Sequence, residues 1–431
     1  MMSEQQAWYK SVTRYQWTVL TIASLGWVFD AFEGQLYNIT RGVMLPEILG
    51  VADADPQVAE PQIKLWGERL LAAFLLGGTL GGWVFSSLAD RWGRKPVMAL
   101  TILFYSVFSG LTAFASSIEE IAVLRFLVAM GVGGEWAVGA ALVAEVFPAE
   151  SRARAGGIFH ATSVGGLWLA AAAGLAVGAE WRWAYLVGIV PALMVFWVRS
   201  GITEPESWTA ARTAKSDELG SYRALLLGDP RWRLRACFGA LLAMIGLATF
   251  WGVVIAGQDL TRELLLTQGV DKDSARSSAQ IAFGFIQTTG AGIGMLAFGP
   301  LSQRLGRRGT FSLMHLGAVV MTPLICWLPQ RYGGYELMLV LLPVFGFFAQ
   351  GIHAGYAIYF PELFPAHLRA TGAGFCFNTG RILAAPMLLI SGELKEQLSL
   401  QWAVTVLGGL FLLGLVILPV LPETRGAELP E

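Results

Sequence analysis

The sequence predicts an all-α membrane protein of twelve transmembrane helices in two pseudo-symmetric six-helix bundles. Three observations carry this. Hydrophobic residues make up 55% of the 431 positions and charged residues only 14%, where a soluble domain carries about 25% charged. Apolar runs of about 20 residues, long enough to cross a bilayer, recur about twelve times. Two charged turns of the first half return in the same order in the second.

The runs fall near 17–39, 65–88, 96–116, 119–146, 153–178, 182–201, 235–257, 278–302, 310–328, 335–359, 367–391 and 401–421. Most are joined by short loops. Two connections look longer: Gly42–Lys64 after the first run and Ile202–Arg233 after the sixth. The second is the only extended polar stretch. It divides the chain into an N-terminal bundle, 1–201, a linker, 202–233, and a C-terminal bundle, 234–431. Lys and Arg collect in loops of one side, among them Arg91, Arg94, Lys95, Arg152, Arg199, Arg307, Arg308 and Arg369. The positive-inside rule then puts both termini in the cytoplasm of a multi-pass inner (plasma) membrane protein. Met1–Lys10 is polar and offers no cleavable leader. Trp181, Trp183, Trp327 and Trp402 stand at run ends, as interface anchors do.

The same reading excludes several classes. Cys237, Cys326 and Cys376 are an odd, dispersed set in apolar runs, with neither a disulfide framework nor metal spacing. No dinucleotide loop, HExxH or nucleophile elbow is present, so neither an enzyme nor a bound metal or cofactor is expected. The net charge of −1 is spread over short loops and calls for no nucleic acid. The expected partners are the lipid bilayer and a small anionic molecule, and the protein is expected to be a monomer.

The repeated turns make the duplication specific. Asp90-Arg-Trp-Gly93-Arg94-Lys95 follows the second run, and Gln303-Arg-Leu-Gly306-Arg307-Arg308 follows the eighth. Glu145-Val-Phe-Pro148 with Arg152 follows the fourth, and Glu362-Leu-Phe-Pro365 with Arg369 follows the tenth. Duplicated halves place a site between them. On these turns the chain resembles the major facilitator superfamily over essentially its whole length. Asp30-Ala-Phe-Glu33, Arg125 followed by GVGGE, and RATGAGFCFNTGRI in the eleventh run are similar to the metabolite–proton, aromatic acid and sialate symporter group. The pattern departs from that group in Ala31 and Glu33, and Ser86 stands where a glycine is usual.

Charges in the apolar runs mark the candidate site, because one at mid-bilayer costs about 2.5–3.5 kcal/mol. Asp30 and Glu33 lie three apart and share a helix face. The plain alternative is that Glu33 is wet at a helix end. Arg125 is the candidate cation for Asp30: a fixed guanidinium beside a carboxylate that switches with its proton. Glu135 lies ten residues on, about 15 Å along the helix, as a second proton site or a structural ion pair. These four form the expected proton-coupling set, with the proton as coupling ion. Arg381 is placed to hold a substrate carboxylate, or else to snorkel to the surface. Asn378, Gln350, His353, Gln287, Trp251 and Tyr37 complete the expected substrate set, each also open to ordinary packing. His160 and Trp168 are weaker candidates.

The turns supply the expected gate. The resemblance implies that Asp90 meets the N-terminal end of span eleven near Ala366. Arg94 pairs with Glu145, and Arg307 with Glu362. The reading is a secondary transporter, a proton-coupled symporter of a small carboxylate-bearing metabolite working by alternating access. The alternatives are a sugar or polyol symporter, which PExR-like turns also fit, and a transport-incompetent receptor on the same fold.

Overall fold

The structure, a computed structural model, describes residues 8–177 and 180–431. The polar start Met1–Ala7, the last residue of the fifth predicted run and the Arg199 side chain lie outside that description. Among the described residues there is no strand. The helices line up as twelve rods.

In the N-terminal half these are α1 (Arg14–Ile48), α2 (Pro56–Trp92), α3 (Arg94–Thr112), α4 (Ile118–Val146), α5 (Ala149–Ala161, continuing as Ser163–Val177) and α6 (181–201, in short pieces). In the C-terminal half, α7 (Pro230–Thr267) carries a wide turn at Phe250–Val254. It is followed by α8 (272–305) and α9 (307–328), which bend at Gly306, and by α10 (Gly334–Glu362). Last come α11 (Arg369–Ala384, continuing as Pro386–Gln397) and α12 (400–417). Among the described residues, seven stretches are long and apolar enough to cross a membrane, and one of them, Lys272–Glu362, holds α8, α9 and α10 end to end. The rods outside those seven are α1, α5 and α11. They carry Asp30, His160 and Arg381, so the polar residues that mark the site also dilute the hydropathy.

Caps explain where two rods begin. The Asp55 carboxylate accepts the Gln57 N–H at 2.8 Å, with Pro56 at the first helical position. Asp229 accepts the Arg231 N–H at 2.8 Å ahead of Pro230. An Asp N-cap followed by Pro satisfies a free donor and pre-sets the backbone. The expected long loop Gly42–Lys64 is therefore corrected. Both flanking helices run into it, and only 49–55 stays outside helix. The linker likewise carries two helices, Glu206–Ala214 and Tyr222–Leu227.

The halves touch along two crossed seams, α2 with α11 and α5 with α8, while α4 reaches α10 and α11. Small residues allow this approach. A methyl group on Gly82 would overlap the Asn378 amide, one on Gly78 would meet the Arg381 guanidinium, and one on Gly374 would meet Ser86. On the other seam Gly299 lies on the backbone of Ala153 and Arg154. Both described ends of the chain lie with the linker on one face. The Trp8 ring sits under Arg154 at 5.6 Å, and Arg369 donates to the Pro430 carbonyl at 3.1 Å. This face is called the linker side below.

Candidate functional site

On the linker side the two halves are joined by buried ions. Asp90 ends α2 and is fully buried. Its carboxylate accepts the N–H groups of Ala370 at 3.2 Å and Thr371 at 2.8 Å, and the Thr371 hydroxyl at 2.5 Å. These are free donors of the first turn of α11, at the positive end of its dipole. The carboxylate of one half therefore caps a helix of the other. The expected contact point, Ala366, plays a different part: its carbonyl accepts from Arg94 at 2.9 Å. Arg94 also pairs with Asp90 at 2.8 Å and holds Glu145 in a two-pronged bond at 2.8 and 3.0 Å. Glu145 in turn accepts from Arg369 of the other half at 2.7 Å.

The second copy lacks the leading acid. Arg307 grips Glu362 at 2.7 and 2.9 Å. Gln303, standing where Asp90 does, donates its amide to the Glu150 carbonyl at the start of α5. A neutral amide meets a carbonyl in one seam, and a carboxylate meets amide donors in the other.

One further carboxylate completes each turn. Glu204 accepts the N–H groups of Arg94 and Lys95 at 2.8 and 3.0 Å. Glu423 does the same for Arg307 and Arg308 at 2.8 and 3.1 Å. Both turns need glycine. Gly93 and Gly306 have φ of 111° and 80°, a region side chains avoid, and a Cβ on either would strike the capping carboxylate. Sequence reasoning did not single out Glu204 and Glu423. Their signal was the Glu204-Pro205 and Pro422-Glu423 pairs that follow spans six and twelve.

Away from the linker side lies a cluster of buried polar atoms without partners. Both oxygens of Asp30, the Ser24 hydroxyl, Gln350 Nε2, His353 Nε2 and Asn378 Oδ1 are buried and make no hydrogen bond among the described residues, and the Glu135 carboxylate lies against the Tyr105 hydroxyl. A Cβ on Gly26, one turn before Asp30, would land on the Glu135 carboxylate, so α1 and α4 bring the two acids to one place. The charges of Glu135, Glu33 and Arg381 act on Asp30, and that of Asp30 on Arg381. Arg381 lies over the Phe377 ring at 5.4 Å. Asp30, beside a second acid of its own half, is thus within reach of a cation from the other.

An aromatic wall runs across the same gap. Trp136 of α4 stacks on Phe377 of α11 at 4.2 Å between centroids. Phe377 lies 6.3 Å from Tyr356, Tyr356 lies 5.6 Å from His353, and His353 lies 5.7 Å from Phe250. On the other flank Trp136 Nε1 donates to His160 Nδ1 at 3.2 Å, and Trp27 Nε1 donates to the His160 carbonyl at 3.1 Å. Trp136 was missed because a lone Trp in an apolar run reads as packing, and only its partner across the gap distinguishes it.

One expected pairing is corrected. Arg125 does not pair with Asp30. Its guanidinium lies over Tyr37 at 4.4 Å and Phe74 at 4.1 Å and reaches the Gly34 carbonyl at 3.5 Å. All of these belong to the N-terminal half. Glu33 lies in this second pocket. It is buried, not wet, and its carboxylate accepts the Ser109 hydroxyl at 2.7 Å. The cation that Asp30 faces is Arg381. The physical reason is reach: Arg125 lies a turn or more from Asp30 along the bundle, level with Glu33 and Tyr37.

The other candidates divide between chamber and scaffold. Asn378, Gln350 and His353 keep polar atoms free beside the gap. Gln287 keeps its Oε1 free as well, while its amide donates to the Val254 carbonyl at 3.0 Å, tying α8 to the wide turn of α7. Tyr37 donates to the Gly67 carbonyl at 3.2 Å, inside its own half. Trp251 packs edge-on to Phe250 at 5.4 Å, and it is Phe250 that meets His353. Trp168 is exposed. Among the described residues no group of His, Cys, Asp and Glu is arranged to hold a metal ion.

Residues 37–375 match the Major Facilitator Superfamily. The chain is 29% identical, over 97% of its length and 94% of the relative's, to a probable 4-methylmuconolactone transporter of Cupriavidus pinatubonensis. It is 29% identical, over 89% of its length and 88% of the relative's, to the sialic acid transporter NanX of Escherichia coli. Its fold superimposes with a TM-score of 0.73 on the proton:xylose symporter XylE, at 16% identity over 96% of this chain and 98% of that one.

Proposed function

Because the chain belongs to the Major Facilitator Superfamily and is a multi-pass membrane transporter rather than an enzyme, we propose that it carries a small carboxylate-bearing metabolite together with a proton. Transport is by alternating access, the two halves rocking about the central chamber. The observation that supports this reading is the charge arrangement there: Asp30 buried without a hydrogen-bond partner beside Glu135, with Arg381 of the other half the cation whose charge reaches it. Buried carboxylates left unpaired are costly. A proton relieves that cost, and so does the approach of a cation. An incoming carboxylate competes with Asp30 for Arg381, so substrate binding favours protonation of Asp30. That coupling ties the two cargoes together.

The relatives point the same way, since one of them bears the name of an acid. In this reading the linker side is cytoplasmic, in keeping with its Lys- and Arg-rich loops. The closed linker-side gate then corresponds to a chamber reached from the opposite face. Glu33 and Arg125, in their separate pocket, respond to the same motion through α1, one turn from Asp30. The protein works as a monomer in the inner (plasma) membrane.

The test is uptake into proteoliposomes of a panel of labelled organic acids and sugars, with and without an inward proton gradient. Acids accumulate, and the gradient raises the level reached. Accumulation of sugars alone, or acid uptake indifferent to the gradient, would overturn the proposal.

A further inference from the structure

Three arginines from two helix starts open onto one cleft at the edge of the C-terminal half. The cleft holds about 450 Å3, within the roughly 300–1,000 Å3 of small-molecule sites. Arg231, Leu234 and Arg235 line it from the start of α7, Arg308 from the start of α9, and Val420 from the residues that follow α12. Arg231, Leu234 and Arg235 are spaced i, i+3 and i+4, so one helix face presents all three. Arg233, between them in sequence, lies off that face.

The guanidinium groups are only partly used. Asp229 accepts from Nε and Nη2 of Arg231 at 2.9 and 2.6 Å, and the Leu363 carbonyl accepts from Nη1 of Arg235 at 2.8 Å. Arg308 is held through its backbone N–H, by Glu423 at 3.1 Å. Its side chain makes no hydrogen bond or ion pair among the described residues. Each of the three therefore keeps N–H donors for a ligand.

The chain itself sets the depth of the cleft. The apolar span of α7 begins at Pro230, and the last span runs out at Val420. The cleft thus lies where hydrocarbon gives way to headgroups. Trp232 has the Arg231 and Arg235 guanidinium groups 5.3 and 5.0 Å from its ring centre, and Trp is a residue type that favours this level. Val416 and Val420, four residues apart, are 71% and 41% exposed. They carry an apolar strip from the cleft into the bilayer. Topology asks for positive charge on one side of a membrane. It does not ask for three arginines around an apolar-walled cleft.

We propose that this cleft binds an anionic phospholipid of the linker-side leaflet. The phosphate lies among Arg231, Arg235 and Arg308, because guanidinium forks match phosphate oxygens. An acyl chain follows Val420 and Val416. A soluble phosphate would gain nothing from that strip. The bound headgroup also braces the second charged turn: Leu363, which holds Arg235, follows Glu362, and Arg308 follows Arg307. The inference requires a chain that spans a bilayer and does not depend on the cargo.

The experiment is native mass spectrometry of the full chain in detergent. The probes are phosphatidylglycerol and phosphatidylcholine with the same acyl chains, and sn-glycerol 3-phosphate as the chain-free anion. The wild type should hold phosphatidylglycerol at least about tenfold more tightly than phosphatidylcholine, and the triple variant Arg231→Gln, Arg235→Gln, Arg308→Gln should bring that ratio to within about threefold of one. The control variant Arg212→Gln, Arg223→Gln, Arg233→Gln removes the same charge outside the cleft and should keep the wild-type ratio. Phosphatidylglycerol should also raise the Tm of the wild type more than that of the cleft variant. Should the cleft variant fail to fold, Arg308→Gln alone should lower the ratio by at least about threefold. A wild type without headgroup preference overturns the proposal. Equal loss in the cleft and control variants overturns it too, since general surface charge then explains the binding. Equal retention of glycerol phosphate makes this a soluble-anion site and overturns it as well. None of these readouts involves transport, so each outcome leaves the transport reading where it was.

Discussion

Asp90→Asn should shift the protein from the linker-side-closed state toward the linker-side-open state. The Asp90 carboxylate accepts three hydrogen bonds from the first turn of α11 and pairs with Arg94, all at fully buried atoms. Bonds to a charged acceptor contribute about 1.5–3 kcal/mol each, roughly twice a neutral bond. An asparagine keeps one acceptor oxygen but turns an NH2 group toward donors that have no use for it. Arg94 is not left stranded, because Glu145 and the Ala89 and Ala366 carbonyls still hold it. The loss is therefore less than that of a broken buried pair. About 3 kcal/mol is a fair estimate, or roughly a hundredfold in the ratio of the two states. The assay is a distance distribution between spin labels placed on the linker-side ends of α2 and α11 in nanodiscs, with transport measured alongside. The substitution should widen that distance and lower transport at normal expression. An unchanged distribution with unchanged transport would refute the capping argument.

Other outcomes follow from the same geometry. Asp30→Asn should still exchange internal for external substrate, yet lose accumulation driven by a proton gradient; full gradient-driven uptake by this variant would contradict its coupling role. Glu423→Gln removes a charged cap from the Arg307 and Arg308 N–H groups and should lower stability by about 1 kcal/mol, read as a lower Tm in detergent, whereas an unchanged Tm would mean that water caps the turn as well. The linker should loosen in acid. Burial, with Lys215 and Arg369 nearby, holds His367 down at about 4 from an ordinary 6.5, so near pH 7 its 3.5 Å contact with Glu218 is made by a neutral ring. A histidine with a lowered pKa takes up its proton more readily when undocked, so docking is complete above about pH 6.5 and weakens as pH falls toward 4. Limited proteolysis of 202–229 should speed up over that window in the wild type. It should be less pH-dependent in His367→Gln, and equal pH dependence in the two would remove His367 from the account.

Much of the molecule is determined by the chain read on its own. Twelve apolar runs fix the helices because a bilayer leaves the backbone no other solution. Asp90, Arg94, Glu145 and their counterparts Arg307 and Glu362 declare themselves by spacing, since they lie close to helix ends whose direction is known from the order of spans. What spacing does not carry is which side chain meets which across the gap. Asp30 and Arg125 looked like partners because they are opposite charges in apolar runs of one half. The tertiary structure gave Asp30 to Arg381 and set Arg125 among Glu33, Tyr37 and Phe74. It also joined Trp136 to Phe377, residues with nothing in their local sequence to connect them. Helix formation and end-capping depend on neighbours within a few residues, so sequence alone specifies them. Pairing between bundles depends on helix rotation and depth, which small residues such as Gly78 and Gly82 set by how closely they let two backbones approach, and only the folded chain decides that.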